Sequence, residues 1–321
     1  MNNYKCSIIA DPESSWWGFA FSIYKILSQK SDKFELNKVI ITRFRDGEIK
    51  PKIEKNVRER NCFFIHDSNK DPLEWFTELV LINQTLKNSS AQTITDVLPY
   101  LKFARQDKKD ETRVPISARV IADMISLYTT RAISLDIHNP AIQGFYTIPF
   151  DNLYSFPIVV KYLKLKYPEI LNNIVVMSPD AGGTQRASSF AKRLGIQDVA
   201  IGYKVRNKPG EVNTLKILGN IENKNILIVD DILDSGNTLV KAAVAARELG
   251  AKNVYAYCTH GLFTEGTEKL EKEFDLIFIS DTIKREETNK IKVISMSSLL
   301  AEAIYRTNEG QSLSELFEFD K

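Results

Sequence analysis

Asp230 and Asp231 are the residues around which this chain's chemistry can be organised. They close the apolar run Asn225–Val229, and the polar loop Asp234-Ser235-Gly236-Asn237-Thr238 follows before the helical run Val240–Leu249. A buried parallel strand would carry both carboxylates to the carboxyl edge of a sheet, where open α/β proteins bind ligands. The loop would then open a helix. Small residues there let backbone N–H groups approach an anion, and the helix dipole favours negative charge. Ser235 and Thr238 add hydroxyls, and the two acids suit ribose hydroxyls or a hydrated cation. The plainer alternative is a turn whose Asp and Ser cap a helix. A cap does not call for an acid pair at the strand end, so the pattern points to a sugar phosphate.

Several other stretches carry candidate chemistry. The strand-like run Asn173–Met177 leads into Ser178-Pro179-Asp180-Ala181-Gly182-Gly183 ahead of a helical run, Gln185–Leu194, a second loop suited to phosphate. Arg131–Ile137 reads as a strand with Asp136 and His138 at its end, which strand alternation would turn the same way. Within Tyr100–Arg113, Arg105, Lys108 and Lys109 stand beside Asp107 and Asp110. Arg offers a fork for phosphate oxygens and Lys a point charge, so the run suits a polyphosphate with its metal. A solvated charged face is the alternative. Lys204–Val212 is basic, and reads either as an exposed hairpin or as a mobile arm that folds cations over a phosphorylated ligand. Arg43–Ile49 contains Asp46-Gly47, a turn signal, and taken alone reads as a hairpin with an exposed tip. Trp16-Trp17 reads more readily as a packing pair than as a base-stacking surface.

Strands alternating with helices must position these residues. Strands are expected over Cys6–Ala10, Lys38–Thr42, Cys62–His66, Thr93–Leu98, Val199–Tyr203, Asn253–Cys258, Leu276–Ser280 and Ile291–Ile294. Helices are expected over Trp16–Ser28, Leu73–Leu86, Ile116–Leu127, Tyr154–Lys166 and Ser297–Tyr305. This alternation predicts parallel sheets covered on both faces. The loop Asn139–Phe150, with Gly144 and two prolines, reads as a domain boundary. A chain of 321 residues accommodates two domains, here 1–150 and 151–296. A net charge of +2 gives no reason to expect nucleic acid or a membrane as partner. No run approaches the ~20 apolar residues of a membrane span. Cys6, Cys62 and Cys258 are far apart and read as buried thiols in a reducing compartment, so a cytoplasmic location is expected.

The loop Asp230–Thr238 resembles the sugar-phosphate signature of the type I phosphoribosyltransferase fold. With Arg43–Ile49, Tyr100–Ala118, Asp136–Tyr154, Ser178–Arg186, Lys204–Arg206, Cys258–Phe263 and Leu299–Ile304, it makes nearly the whole chain resemble the ribose-phosphate diphosphokinase family, also called phosphoribosyl-diphosphate synthetases. The runs Ala104-Arg105-Gln106-Asp107-Lys108-Lys109-Asp110 and Gln143-Gly144-Phe145 are the most specific, because transferases that share only the sugar-phosphate loop lack them.

The resemblance implies two phosphoribosyltransferase-like (type I) domains, each an α/β unit with a mainly parallel sheet, the last segment (297–321) packing back on the first. It implies Mg2+-dependent transfer of the diphosphoryl group of ATP to the anomeric hydroxyl of ribose 5-phosphate, in a homo-oligomer, dimer-based and hexameric. By that resemblance ATP meets Arg105, Gln106 and Asp110, with Phe44, Asp46 and Glu48 reaching over from a neighbouring subunit, which replaces the plain hairpin reading. His138 and Asp180 correspond to magnesium-site residues. Asp230 and Asp231 correspond to residues on the ribose hydroxyls and metal, and Asp234, Ser235, Gly236, Asn237 and Thr238 to those on the 5-phosphate. Lys204 and Arg206 match cations held over the transferring group. Two stretches depart from the family's usual pattern, Asp11–Trp17 and His66–Trp75. Their extra tryptophans motivate a variant reading in which the acceptor is larger, such as ADP-ribose, with its base stacked on an indole. Further readings are a phosphoribosyltransferase or regulator, and a non-catalytic partner subunit of a synthetase.

Overall fold

In the computed structural model, residues 6–205 and 214–317 are described. Among them the chain forms two compact units, 6–154 with 297–317, and 155–296.

The first unit runs β1 (Cys6–Ala10), α1 (Trp17–Lys30), β2 (Phe34–Arg43), β3 (Ile49–Ile53), β4 (Asn61–Ile65), α2 (Pro72–Asn88), β5 (Thr93–Leu98), α3 (Ser117–Tyr128), β6 (Arg131–Leu135) and β7 (Phe150–Leu153). The second runs α4 (Phe156–Lys166), β8 (Ile174–Ser178), α5 (Thr184–Leu194), β9 (Val199–Val205), β10 (Thr214–Leu218), β11 (Asn225–Leu233), α6 (Asn237–Glu248), β12 (Asn253–Gly261), α7 (Glu268–Glu273), β13 (Leu276–Ser280) and β14 (Ile291–Ile294). A final helix, α8 (Ser297–Glu309), belongs to the first unit. There it lies beside α1, with Lys30 paired to Glu302 and Lys33 to Glu309.

Each unit is built on a seven-stranded sheet, and the two orders are the same: β3-β2-β1-β4-β5-β6-β7 and β10-β9-β8-β11-β12-β13-β14. Only the edge strands β3 and β10 run antiparallel to their neighbours. The composition explains the parallel core. The strands Ile174–Ser178 and Cys6–Ala10 are buried at every position, as strands covered by helices on both faces must be. The α/β expectation of two mainly parallel sheets flanked by helices is met.

The chain order creates one switch point per sheet. From β8 the chain moves outward to β9 on one side, while from β11 it proceeds to β12 on the other. The crevice at the carboxyl ends of such a strand pair is the usual ligand position in open α/β sheets. The pair β1 and β4 is its counterpart in the first unit.

Several local expectations change. The strand β11 does not stop at the acid pair. It continues to Leu233, with Asp230 level with Cys258 and Ile232 level with His260 on β12, whereas its pairing with β8 ends at Ile228. Asp230 and Asp231 therefore sit where β11 outruns β8. The strand β6 ends at Leu135, and Asp136 has a φ of 42°. Strand alternation thus does not govern Asp136 and His138. The strands β7 and β10 and the short helix α7 were not expected. Residues 99–113 form no regular element, yet Tyr100, Leu101, Lys102 and Ala104 are buried beneath the charged run. The expectation that no helix spans a membrane holds among the described residues.

Candidate active site

The second unit holds the acid pair. The Arg186 guanidinium, in the first turns of α5, lies between the two carboxylates, with Nη1 3.2 Å from Asp230 Oδ1 and 3.1 Å from Asp231 Oδ1. Asp230 Oδ1 also accepts from the Asp231 backbone N–H at 2.9 Å. Burial and the adjacent Asp231 push the Asp230 carboxyl upward, while Arg186 works against them. The Cys258 thiol, on the neighbouring strand, is likewise pushed up by burial and then by the two acids.

Asp180 follows β8 on the other side of the crevice. Its Oδ1 accepts from the N–H groups of Gly182 at 2.9 Å and Gly183 at 3.2 Å, which fixes the carboxylate at the start of α5. Two glycines are needed here for space. A Cβ on Gly183 would lie 2.7 Å from Ser178 Oγ, and one on Gly202 of β9 would lie 2.7 Å from the Pro179 carbonyl oxygen.

The loop after β11 is shaped for an anion. Gly236 turns it with a φ of 78° and sits at the N-cap of α6, where it has no side chain to cap the helix. Glycine at the N-cap leaves the N-terminal N–H groups of this twelve-residue helix facing the loop. A Cβ on Gly236 would meet Leu270 Cδ2 at 2.9 Å, so the turn is closed from outside by α7. Asp234 Oδ1 accepts from Thr264 Oγ1 at 2.6 Å and Asn237 Oδ1 from Lys269 Nζ at 2.8 Å. These contacts hold the loop's rim. Ser235 and Thr238 are half-buried within it.

In the first unit the corresponding crevice is filled. Lys70, after β4, places its ammonium 2.9 Å from Asp11 Oδ2 and 2.7 Å from Glu78 Oε2. Trp16 is buried and stacks on Phe19 with centroids 4.1 Å apart. Trp75 is fully buried, and its backbone carbonyl accepts from or faces His66 Nε2 at 2.8 Å. Burial holds the His66 imidazole down to about 3. What space remains among Asp11, Ser14, Trp16, His66, Asp67 and Glu78 is about 10 Å³, room for one water at most. Trp16 and Trp75 are thus core residues and offer no face for a nucleobase. Of the expected packing pair Trp16-Trp17, Trp16 packs in the core on Phe19, and Trp17 is half-buried.

The predicted nucleotide residues of the first unit lie at two places. Phe44, Asp46 and Glu48 are exposed at the tip of the β2–β3 hairpin, built by Phe44 N–H donating to the Glu48 carbonyl at 2.8 Å and by Gly47 at a φ of 93°. Arg105, Gln106 and Asp110 lie in the segment after β5. There Gln106 Oε1 accepts from Ser117 Oγ at 2.6 Å, pinning the segment to the start of α3. Asn139, after β6, donates to Asp107 Oδ2 at 2.5 Å, so the loops carrying Arg105 and the exposed His138 are joined. In the second unit Asp180, Asp230, Asp231 and Asp234–Thr238 line one crevice. Lys204 is the penultimate residue of β9, level with Leu215. Its side chain, and the whole of Arg206, lie outside the described residues. Sequence reasoning overlooked Arg186 as the partner of the acids. The signal was present: an arginine six residues beyond Asp180, just inside a helix that a glycine pair opens.

The fold defines the class first: two phosphoribosyltransferase-type α/β units, each a mainly parallel seven-stranded sheet flanked by helices. Residues 18–128 match the N-terminal domain of ribose phosphate pyrophosphokinase, and residues 197–318 match the phosphoribosyl synthetase-associated domain. The ribose-phosphate pyrophosphokinase of Rhizobium meliloti (strain 1021) is 40% identical over 293 residues, covering 88% of this chain and 93% of that protein. That of Bacillus subtilis (strain 168) is 40% identical over 289 residues, covering 88% and 90%. The crystal structure of phosphoribosylpyrophosphate synthetase from Mycobacterium smegmatis superposes with a TM-score of 0.85 at 28% identity, covering 95% of this chain and 99% of that one. The chain is an enzyme of the ribose-phosphate pyrophosphokinase family.

Proposed function

We propose that the protein transfers the β,γ-diphosphoryl group of ATP to the anomeric hydroxyl of ribose 5-phosphate, giving phosphoribosyl diphosphate and AMP. The observation that carries this reading is the second-unit crevice. It joins an acid pair, suited to a ribose diol, to an uncapped helix N-terminus suited to the 5-phosphate. The anomeric oxygen attacks the β-phosphorus, the bond to the bridging oxygen of the α-phosphate breaks, AMP departs with that oxygen, and the hydroxyl proton is released. Such transfers depend on positioning and on stabilising charge at phosphate oxygens.

Within this reading Asp230 and Asp231 hold the sugar hydroxyls, and Asp234–Thr238 hold its phosphate. Arg105, Gln106 and Asp110 bind the nucleotide, with Phe44, Asp46 and Glu48 supplied to a neighbouring subunit's site. Lys204 and Arg206 cover the transferring group. Magnesium is the cation of this reading, since an oxygen-loving cation takes one or two carboxylates and completes its shell with phosphate oxygens and water. The Asp180 carboxylate, fixed by the glycine turn, and His138 would hold it, and it would neutralise phosphate charge. The enzyme acts in the cytoplasm as a dimer-based homo-oligomer, a hexamer. The larger acceptor loses the support of Trp16 and Trp75, which are buried, and rests on the half-buried Trp17 alone.

Purified protein incubated with ATP, Mg2+ and either ribose 5-phosphate or ADP-ribose tests the reading, with products identified by mass. Phosphoribosyl diphosphate and AMP in equal amounts are expected from the first mixture. Diphosphorylated ADP-ribose alone, or ribose 5-phosphate binding without any AMP release, would refute it.

A further inference from the structure

Asp230 and Asp231 are adjacent, and their carboxyl groups interact directly. Asp231 is 4% exposed, so water screens it little. Two ionised carboxylates in such a place repel unless a cation stands between them. Arg186 supplies one, its Nη1 reaching one oxygen of each acid. Asp230 Oδ1, which also accepts from the Asp231 N–H, is thereby committed twice. The carboxylate can rotate no further without losing both partners, which leaves its second oxygen aimed by what holds the first.

The path of the guanidinium is as particular as its end. Nη1 passes 3.7 Å from where a Cβ on Gly183 would stand, and Asp180 ties that same glycine turn through Gly182 and Gly183. One turn therefore sets both the Asp180 carboxylate on the β8 side and the cation on the β11 side. The first unit supports the interpretation by contrast. In its equivalent crevice the bridging cation is Lys70, lodged between Asp11 and Glu78 beside buried aromatics, and that crevice is closed. In the second unit a guanidinium reaching from the adjoining helix bridges the acids, where an ammonium from the strand's own loop fills the first.

We propose that Arg186 is a positioning residue for the sugar-binding acids, bridging Asp230 and Asp231 so that both carboxylates are presented to a ribose diol. It holds no substrate itself. The inference rests on the sugar-phosphate reading of this crevice, and its consequence is specific. Loss of Arg186 weakens sugar-phosphate binding through the acids, while nucleotide binding in the first unit is untouched. A lysine at this position restores a cation between the two acids and with it most of the affinity.

The test compares Arg186→Gln and Arg186→Lys with the unaltered protein. Calorimetric titration with ribose 5-phosphate should show a Kd raised about tenfold or more in R186Q, an amount equal to ~1.4 kcal/mol or more, and within about threefold of the parent in R186K. A crystal structure of unliganded R186Q should show the Asp230 carboxylate turned away from Asp231. Equal affinity in R186Q, or an acid pair with unchanged geometry there, would overturn the proposal. So would an equal loss in both variants accompanied by a lowered Tm, which marks a merely structural role. Failure of the parent protein to bind ribose 5-phosphate would count against the sugar-phosphate reading alone. The carboxylate geometry in R186Q would still decide the role of Arg186.

Discussion

At the scale of single residues, burial governs what each ionisable group can do. Asp96 on β5 is fully buried, accepts from Asn83 Nδ2 at 2.8 Å, and is pushed by burial up to about 8. The folded protein therefore keeps a proton there that the unfolded chain releases near 3.8, so stability is lost as pH rises from about 4 to about 8. Asp96→Asn removes that dependence, and its new amide hydrogen can donate to Asn83 Oδ1, which has no partner among the described residues. Urea unfolding between pH 5 and 8 should show the variant gaining on the parent as pH rises, by up to ~1.4 kcal/mol per unit. Parallel curves would contradict the assignment. His66, pushed down to about 3, titrates in the opposite sense, with stability lost as pH falls below 6.5. It is common to both proteins and cancels. Lys204 belongs to this scale as well. If it covers the transferring group, Lys204→Ala lowers kcat ~100-fold or more, since a preorganised donor to a developing charge is worth ~2.7–4 kcal/mol. Ribose 5-phosphate affinity should be spared. Steady-state kinetics beside direct binding checks both halves of that statement.

At the scale of elements, the site depends on how closely β9 approaches the turn after β8. Gly202 is required because its missing Cβ would stand 2.7 Å from the Pro179 carbonyl oxygen and 3.1 Å from the Pro179 carbonyl carbon. Backbone cannot swing aside as a long side chain can. Gly202→Ala should therefore destabilise the protein by ~1–3 kcal/mol, the usual cost of overpacking, and should move Asp180, the next residue. A urea midpoint unchanged from the parent would mean that the strands separate at no cost. Much of the element scale was legible beforehand. The runs Cys6–Ala10, Thr93–Leu98, Leu276–Ser280 and Ile291–Ile294 are strands with the expected bounds, because short, mainly apolar runs between polar flanks read as buried strands even where one carries Asp96 or Lys292. The strands β7 and β10 escaped notice. Phe150–Leu153 is a short edge strand and Thr214–Leu218 an antiparallel one, and an edge strand needs little apolar sequence of its own.

At the scale of the whole molecule, two units share one topology and differ in one crevice. If the second unit alone grips the sugar phosphate, ligand binding should stabilise that unit selectively. Ribose 5-phosphate at one hundred times its Kd adds ~2.7 kcal/mol. Hydrogen exchange should slow over 178–186 and 230–238 and remain unchanged over 61–71, the equivalent region of the first unit. Protection in both would mean that the Lys70 plug opens. A non-hydrolysable ATP analogue should instead slow exchange over 105–110.

The sequence by itself determined the class of fold, the acid pair and its phosphate loop, because those depend on apolar runs, periodicity and turn residues read locally. It determined the family as well, through separated motifs whose order the chain preserves. Only the tertiary structure decided that β11 carries its acids past the end of β8, that Arg186 reaches between them, and that Trp16 and Trp75 are core. Each of those facts joins residues far apart along the chain. Arg186 lies 44 positions from Asp230, and the glycine pair ahead of it marks the arginine locally without recording which acids it will meet.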